Sequence, residues 1–362
     1  MSLSLKLTSA QVQDFQRLVA SAKRIVILTH MSPDGDAMGS SLGLKHYMAS
    51  LHDISNREIT VIVPNHFPSF LAWMPGAEEV LIYETDKTKA DQCLAQADIA
   101  ICADFNEPKR IGALGEQLIT EKQTRNLPII LIDHHLNPDP FVDVCISYPD
   151  SPSASELVYR LIYQIEKGEN RLPLAAAQCL YTGMMTDTGN FSFNSNYPEM
   201  YEIVGQLVAL GVNKDAIYNS VFNQYSADRM QLMGYCLYKK MRLFPEHHTA
   251  LIYMSRKELY RFNFQSGDAE GIVNLPLQIS NIYYSVFMRE DKVNPSEVCL
   301  AGGSRTKVKI SLRSQGDRPV NIFAHDIFGG GGHKNASGGE HYGPVVEAVQ
   351  KFLDNYEKYF NK

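Results

Sequence analysis

The sequence predicts an α/β protein: a mostly parallel sheet wrapped by crossover helices, followed by a smaller α+β domain. Three observations carry this. Short apolar runs rich in Ile, Val and Ala, at Arg24–Thr29, Glu58–Val63, Asp98–Ala103 and Pro128–Ile132 with a weaker one at Val80–Tyr83, alternate with helical patterns. Beyond about Lys240 the alternation gives way to isolated β-like runs among helix-like pieces. At 362 residues the chain is long enough for two domains, each with its own core.

Taken in order, Thr8 or Ser9 caps a first helix running to about Ala22. Helical patterns at Ala37–Ser50 and Ile111–Gln123 fall between the strands, and helices follow at Ser153–Glu166, Leu174–Met185 and Pro198–Leu210. From Asn213 to about Lys240 the pattern stays helical and is read in part as a connection. Short β-like runs come next at Thr249–Met254, Ile282–Met288 and Lys307–Leu312, and a helix from Pro344 to about Tyr359 closes the chain. The expected division is therefore residues 1–210, a helical connection over 211–240, and a second domain over 241–362.

Composition narrows the function classes. Hydrophobic residues at 44% and charged residues at 20% are ordinary for a globular protein. A net charge of −6 argues against indiscriminate coating of nucleic acid, but not against a small anion held by a few local cations. The six cysteines form no CxxC pair and several sit in apolar runs, which points to reduced, buried thiols. Met1–Lys6 has no long apolar core and no stretch approaches eighteen apolar residues, so the expectation is a cytoplasmic protein without a membrane span. Trp73, Pro64–Pro75 and Asp53–Arg57 carry no functional signal.

Four segment ends concentrate candidate ligands. The first strand run ends in His30, followed by Asp34 and Asp36 within seven residues, on the loop leaving a strand's carboxyl end, where open parallel sheets bind ligands. Carboxylates this close repel, and a multivalent cation relieves the repulsion, although Asp36 alone would also serve as a helix cap. Asp104 follows Ala100–Ala103 directly, a position a helix cap would also explain. Asp133, His134 and His135 follow the next strand; adjacent histidines face opposite ways, one toward a metal and one toward substrate, unless both face solvent. Asp187 ends an apolar helix, where an anion is unfavourable without a partner. The set His30, Asp34, Asp36, Asp104, His134 and Asp187 contains oxygen and imidazole donors and no thiolate, which suits Mn2+, Mg2+, iron or Co2+ better than structural zinc. Six ligands suit a pair of ions about 3.5–4 Å apart, an arrangement that serves phosphoester hydrolysis.

The DHH triplet of Asp133, His134 and His135, with the HxxxDxD of His30, Asp34 and Asp36, resembles the DHH phosphoesterases. Asp104 and Asp187 fall where that family has its other ligand motifs, and the resemblance covers nearly the entire chain. It implies a Rossmann-like catalytic domain and a C-terminal lobe closing over it, with the active site in the cleft between them. By the same resemblance, His30, Asp34 and Asp104 hold one ion and Asp36, Asp104, His134 and Asp187 the other, with Asp104 bridging. His135 would contact the scissile phosphate, and Asp133 would support the histidines.

The run Phe328–Gly339 holds Gly329, Gly330, Gly331 and Gly332 with His333, for which the sequence suggests no packing need. Bare backbone N–H groups can approach a phosphate closely and His333 can add a hydrogen bond, the alternative being a flexible surface loop. The small residues after His333 read as a helix N-terminus, after an amphipathic stretch at Val320–Phe328. Alternation in Lys307–Ser314 puts Lys307, Lys309, Ser311 and Arg313 on one strand face, which a solvated edge strand would also produce. Together these segments resemble the DHH-associated C-terminal domain, in which the equivalent arginine and the GGGH histidine grip the nucleotide. Arg110 matches a family position facing substrate, while Tyr283 and Tyr284 read as core rather than base-stacking residues.

Within the family the pattern is most similar to the compact bacterial nanoRNase/pAp phosphatases. The SRKKQ element of family-II pyrophosphatases is not found, and RecJ-type exonucleases are longer, with an added OB-like domain. The resemblance therefore implies two divalent ions, Mn2+ first and Mg2+ or Co2+ next. It implies release of 5′-mononucleotides from short oligonucleotides, or removal of the 3′-phosphate of a nucleoside bisphosphate such as pAp. Long duplexes and membranes are not expected partners, and a monomer or homodimer is expected. Alternatives are a pApA or cyclic-dinucleotide phosphodiesterase, an exopolyphosphatase-like hydrolase, and a metal-stabilised nucleotide-binding module without catalysis.

Overall fold

β-Branched and small apolar residues in short runs favour strands that are buried on both faces, and the first part of the chain builds its sheet from them. A computed structural model describes residues 7–51, 57–265, 267–293 and 306–360. Cys299, Met1–Lys6 and most of the Asp53–Arg57 stretch lie outside the described residues. The chain divides into two compact units, Met1–Gln224 and Tyr225–Lys362, so the break falls inside the stretch expected as a helical connection.

The first unit runs α1 (Ser9–Ala20), β1 (Arg24–Leu28), α2 (Gly35–Ser50), β2 (Glu58–Val63), β3 (Leu81–Ile82), α3 (Tyr83–Gln96), β4 (Ile99–Ala103) and α4 (Ala113–Arg125). It continues through β5 (Ile129–Asp133), β6 (Val144–Ser147), α5 (Ala154–Ile165), α6 (Leu174–Asp187), α7 (Pro198–Ala209) and α8 (Lys214–Phe222). The strands form one parallel sheet in the order β3-β2-β1-β4-β5-β6. The order reverses between β1 and β4, and a crevice opens outside the carboxyl ends of strands at such a switch point. Alternate residues feed two cores: Ile25, Ile27, Ile99 and Ile101 pack with α2, α5 and α6, while Val26, Leu28, Ala100 and Cys102 pack with α3 and α4. The short strand β6 is not among the expected elements, although Val142, Val144, Ile146 and Tyr148 alternate with Asp143, Cys145 and Ser147; it pairs with β5 from Ile130↔Val144 to Asp133↔Ser147.

Helix α2 starts two residues before its expected position, so the N-cap is Asp34 and not Asp36. Asp34 Oδ1 accepts the amides of Asp36 and Ala37, both at 3.0 Å, and Asp36 is thereby left inside the first turn. Small residues let α2 lie unusually close to α6. A Cβ on Gly39 would stand 2.6 Å from the Cys179 carbonyl oxygen and 2.9 Å from Gly183 Cα, and these backbone atoms cannot swing aside. Gly39→Ala is expected to destabilise the protein by about 1–3 kcal/mol through overpacking, despite up to about 1 kcal/mol gained in helix propensity. An unchanged urea midpoint in this variant would contradict the tight α2–α6 packing.

The second unit runs α9 (Ala227–Tyr235), a π-turn (Cys236–Lys240), β7 (Arg242–Phe244), β8 (Thr249–Met254), α10 (Arg256–Arg261), β9 (Tyr284–Lys292) and β10 (Thr306–Ser314). α11 (Asn321–Phe328), β11 (Gly331–His333), β12 (Ala336–Tyr342) and α12 (Val345–Leu353) complete it. Its six-stranded sheet has the order β11-β12-β10-β9-β8-β7, antiparallel except for β8 with β9. Tyr284 is buried and stacks on Phe360 at 4.3 Å, a core role as expected.

One alternative for this unit falls and two readings of it are corrected. β10 is not an edge strand, because β9 and β12 flank it; Lys309, Ser311 and Arg313 nonetheless alternate with buried Ile310 and Leu312. The residues after His333 do not start a helix: Gly331–His333 and Ala336–Tyr342 form a hairpin with Gly331↔Gly338 and His333↔Ala336 paired. The glycines do meet a packing need. Gly329 ends α11 at φ 61°, Gly332 has φ 132°, and a Cβ on Gly330 would lie 1.9 Å from the Gly338 carbonyl. The last helix also stops early, since the Asn355 side chain takes the Lys351 carbonyl that the next helical amide would use.

Cys93, Cys102, Cys145, Cys179 and Cys236 are free; Cys102, Cys179 and Cys236 are buried, while Cys145 is exposed. Among the described residues no helix is long and apolar enough to cross a membrane.

Candidate metal centre

Each candidate ligand of the first unit stands at the carboxyl end of a strand or at a helix terminus around the β1/β4 switch point. His30 follows β1, Asp34 and Asp36 open α2, Asp104 follows β4, His134 and His135 follow β5, and Asp187 ends α6. Asp104 adopts the left-handed region at φ 65°, a strained conformation of the kind that functional sites retain at a cost of about 1 kcal/mol or more.

The two halves of the Asp104 carboxylate face different neighbours. Its Oδ2 lies 3.3 Å from His30 Nε2, which is itself 3.8 Å from Asp34 Oδ1. Its Oδ1 lies 3.2 Å from His134 Nε2, which is 3.3 Å from Asp187 Oδ2 and 3.8 Å from Asp36 Oδ2. Two cation-sized clusters result, His30 with Asp34 and Asp104, and Asp36 with His134 and Asp187. Donors around an octahedral cation with bonds near 2.1 Å stand about 3 Å apart, so the observed spacings need little change to grip one. Asp104 Oδ1 is also buried without a hydrogen bond of regular geometry, as a ligand atom awaiting a cation would be.

The histidines are aimed from behind. His30 Nδ1 donates to its neighbour's Met31 carbonyl and His134 Nδ1 to the Ser151 carbonyl, each at 3.0 Å. With Nδ1 donating backward, Nε2 is the ring nitrogen that faces the site. His135 Nδ1 is 2.8 Å from Asp133 Oδ1, and Asp133 Oδ2 accepts the His135 amide at 3.0 Å. Asp36 accepts the Ala154 and Ser155 amides at 2.6 and 2.9 Å, so the first turn of α5 braces it. That brace was not legible in the sequence, because only the fold brings a loop 118 residues away to Asp36.

Charge in the cage is unevenly held. Burial and the neighbouring Asp104 push Asp36 up to about 7, against the pull of His134. Withdrawal from water also raises Asp187 well above the carboxylate range, against the charge of His134 and with that of Asp36. For Asp104 burial acts upward, but the close approach of the His134 and His30 rings outweighs it and holds the carboxyl well below its usual range. Burial works to lower His30 and His134, and the contact with Asp104 reverses it, so both rise. His135 goes down, because burial outweighs the hydrogen bond with Asp133. Four carboxylates against two shared imidazoles leave a surplus of negative charge that divalent cations would neutralise.

Of the remaining predicted residues, Arg110 sits in a turn at Pro108–Ile111, close enough for its charge to act on His30 and His135. In the second unit Arg313 pairs across the sheet with Ala336, and Ala336 with His333, so the three lie in one cross-strand row. Neighbouring strands are about 4.8 Å apart, which sets Arg313 and His333 roughly 10 Å apart at the backbone on the same face. Gly331 beside them is open to solvent on its Cβ side.

A carboxylate and imidazole cage without thiolate, at the switch point of a parallel sheet, suits hard divalent cations, and paired cations of that kind serve hydrolysis. The chain belongs to the DHH family: the family's N-terminal domain matches residues 24–184, and the DHHA1 domain matches residues 254–362. It is a DHH-family phosphoesterase, and the family is metal-dependent. A bifunctional oligoribonuclease and PAP phosphatase NrnA from Bacillus subtilis is 23% identical over 326 residues, covering 90% of this chain and 92% of that protein. The protein of the same name from Thermus thermophilus is 28% identical over 350 residues, covering 93% and 94%. Among solved structures, an exopolyphosphatase-related protein from Bacteroides fragilis is 42% identical with a TM-score of 0.86, over 99% of this chain and 98% of that one.

Proposed function

We propose that the chain hydrolyses short oligonucleotides to 5′-mononucleotides and removes the 3′-phosphate of pAp, using two divalent cations, Mn2+ first. The observation that carries the reading is Asp104, whose two oxygens face separate ligand clusters. His30, Asp34 and Asp104 would hold one cation, and Asp36, His134 and Asp187 would hold the other, with Asp104 Oδ1 beside His134 available to it as well. When bound, the cations lower the pKa of a water and neutralise charge on the phosphoryl group.

The protein's own groups do the rest. The backbone carbonyls behind His30 and His134 accept the Nδ1 proton of each ring and so direct Nε2 at the cage, where a cation would displace the Nε2 proton. Asp133 fixes the tautomer of His135, which uses Nε2 toward the scissile phosphate. A bound phosphate draws a proton onto that otherwise neutral ring, so that Nε2 donates. Arg110 adds positive charge on the same side. In the second unit the row of Arg313 and His333, with the backbone of Gly330, Gly331 and Gly332, binds a substrate phosphate. The free cysteines accord with work in the reducing cytoplasm.

Initial rates with Mn2+ on pAp, pApA, a trinucleotide, a 24-mer and polyphosphate test the reading. The trinucleotide and pAp should be turned over at least tenfold faster than the 24-mer. Equal rates on the 24-mer, or hydrolysis of polyphosphate alone, would overturn it.

A further inference from the structure

The outer wall of the cage contains an ion pair that the reaction itself does not require. Glu156 and Arg160 lie one turn apart on α5, both almost wholly buried. Arg160 Nε and Nη2 both donate to Glu156 Oε1, at 2.8 and 2.7 Å. Burying such a pair stabilises little or nothing relative to apolar side chains of the same volume. An exposed helix could use this spacing cheaply; a buried one gains nothing from spacing alone.

The other carboxylate oxygen of Glu156 points to a different use. Oε2 accepts the hydroxyl of Ser151 at 2.5 Å, and that hydroxyl also lies 3.2 Å from the Ser153 carbonyl. Ser153 caps α5, its Oγ accepting the Glu156 amide at 3.1 Å. The Ser151 carbonyl is the acceptor for His134 Nδ1. Two anchors therefore hold the Ser151 peptide: its amide donates to Tyr148, and its hydroxyl donates to Glu156. The same short segment delivers the Ala154 and Ser155 amides to Asp36.

We propose that Glu156, oriented by Arg160, is a positioning residue for cation binding: it pins Ser151 so that the Ser151 carbonyl fixes the ring of His134. One hydrogen-bonded chain then runs from Arg160 through Glu156 and Ser151 to His134 Nε2, the atom aimed at Asp36, Asp104 and Asp187. Outer partners of this kind set the tautomer and aim of a ligating imidazole, and losing one weakens metal binding 10–100-fold in other sites. Here the link is one bond further out, and about a tenfold loss is expected. The inference rests on the reading of His134 as a metal ligand.

Ser151→Ala is the decisive variant, because it removes the link while leaving the ion pair and the Ser151 carbonyl in place. Mn2+ binding is measured by titration calorimetry on the intact, metal-stripped protein, with thermal melts alongside. The expected result is an Mn2+ Kd raised about tenfold at one site, with kcat recovering when Mn2+ is raised in proportion. Wild-type Mn2+ affinity in this variant, whether or not its Tm falls, overturns the proposal. Glu156→Gln should show the same affinity defect if it folds; should it not fold, Ser151→Ala still decides. His134→Ala separates the two levels. If His134→Ala loses a cation and Ser151→Ala does not, only the positioning role fails. If His134→Ala binds Mn2+ as wild type does, the metal reading itself fails.

Discussion

Replacing Asp104 by Asn is expected to lower kcat on the order of 10³-fold or more while the protein stays folded. Asn matches Asp in volume and tolerates the left-handed backbone at φ 65°, so neither packing nor strain at this position changes much. What changes is the donor set. One carboxylate oxygen becomes an amide NH2, which cannot ligate and which would point a donor at either the His30 or the His134 cluster. On the proposed two-cation reading, one cation would lose a ligand and the link through Asp104 would be cut. Metal counting by mass spectrometry should find fewer cations retained than in the wild type, and far-UV circular dichroism should be unchanged. Full activity with an undiminished cation count would sink the bridging assignment.

The second large effect concerns removal of the cations and its dependence on pH. Stripping with a chelator should abolish turnover, and the stripped protein should grow less stable as pH rises from about 5 to 8. The sign follows from the carboxyls and imidazoles of the cage. Asp36 is raised to about 7 and Asp187 is raised well above its ordinary value, so the folded state binds protons that the unfolded state has already released. Stability supplied by a raised group is lost as pH climbs through its folded pKa. His134 and His30 are raised as well and act in the same direction. His135, which is lowered, opposes them near neutrality. Asp104, held low, matters only in acid, where its contribution disappears.

A net loss of about 2 kcal/mol over that range corresponds to roughly 4–8 °C in Tm for a unit of this size. Divalent cations bind the deprotonated ligands, so their stabilisation grows with pH. The gap in Tm between Mn2+-loaded and stripped protein should therefore widen from pH 5.5 to pH 8. A gap that narrows would mean that these carboxyls do not hold the cations.

Much of the first unit was legible because its signals are local. Apolar strands such as Ile99–Ala103 and Ile129–Asp133 end in polar ligands, and a run buried on both faces reads as a strand whatever surrounds it. The helices at Pro198–Ala209 and Ala154–Ile165 announced themselves by a leading proline and by a capping serine. Where pairing with a distant partner decides, the sequence misled. The hairpin of β11 and β12 hides in a glycine-rich run that lacks side-chain alternation. The packing need of Gly330 was hidden because the Gly338 carbonyl that crowds it lies across the hairpin.

By itself the sequence determined which residue types stand at the ends of strands and helices, and so which chemistry the chain can support. A histidine, four aspartates and a DHH triplet at those ends are local facts of composition and order. Only the tertiary structure decided how they meet. The strand order set β1 beside β4, so that His30 and Asp104 stand 3.3 Å apart; the close approach of α2 and α6 brought Asp36 and Asp187 to one ring, His134. Convergence of this kind depends on interstrand pairing and interhelical contact between residues far apart in the chain, and no local pattern encodes a distance.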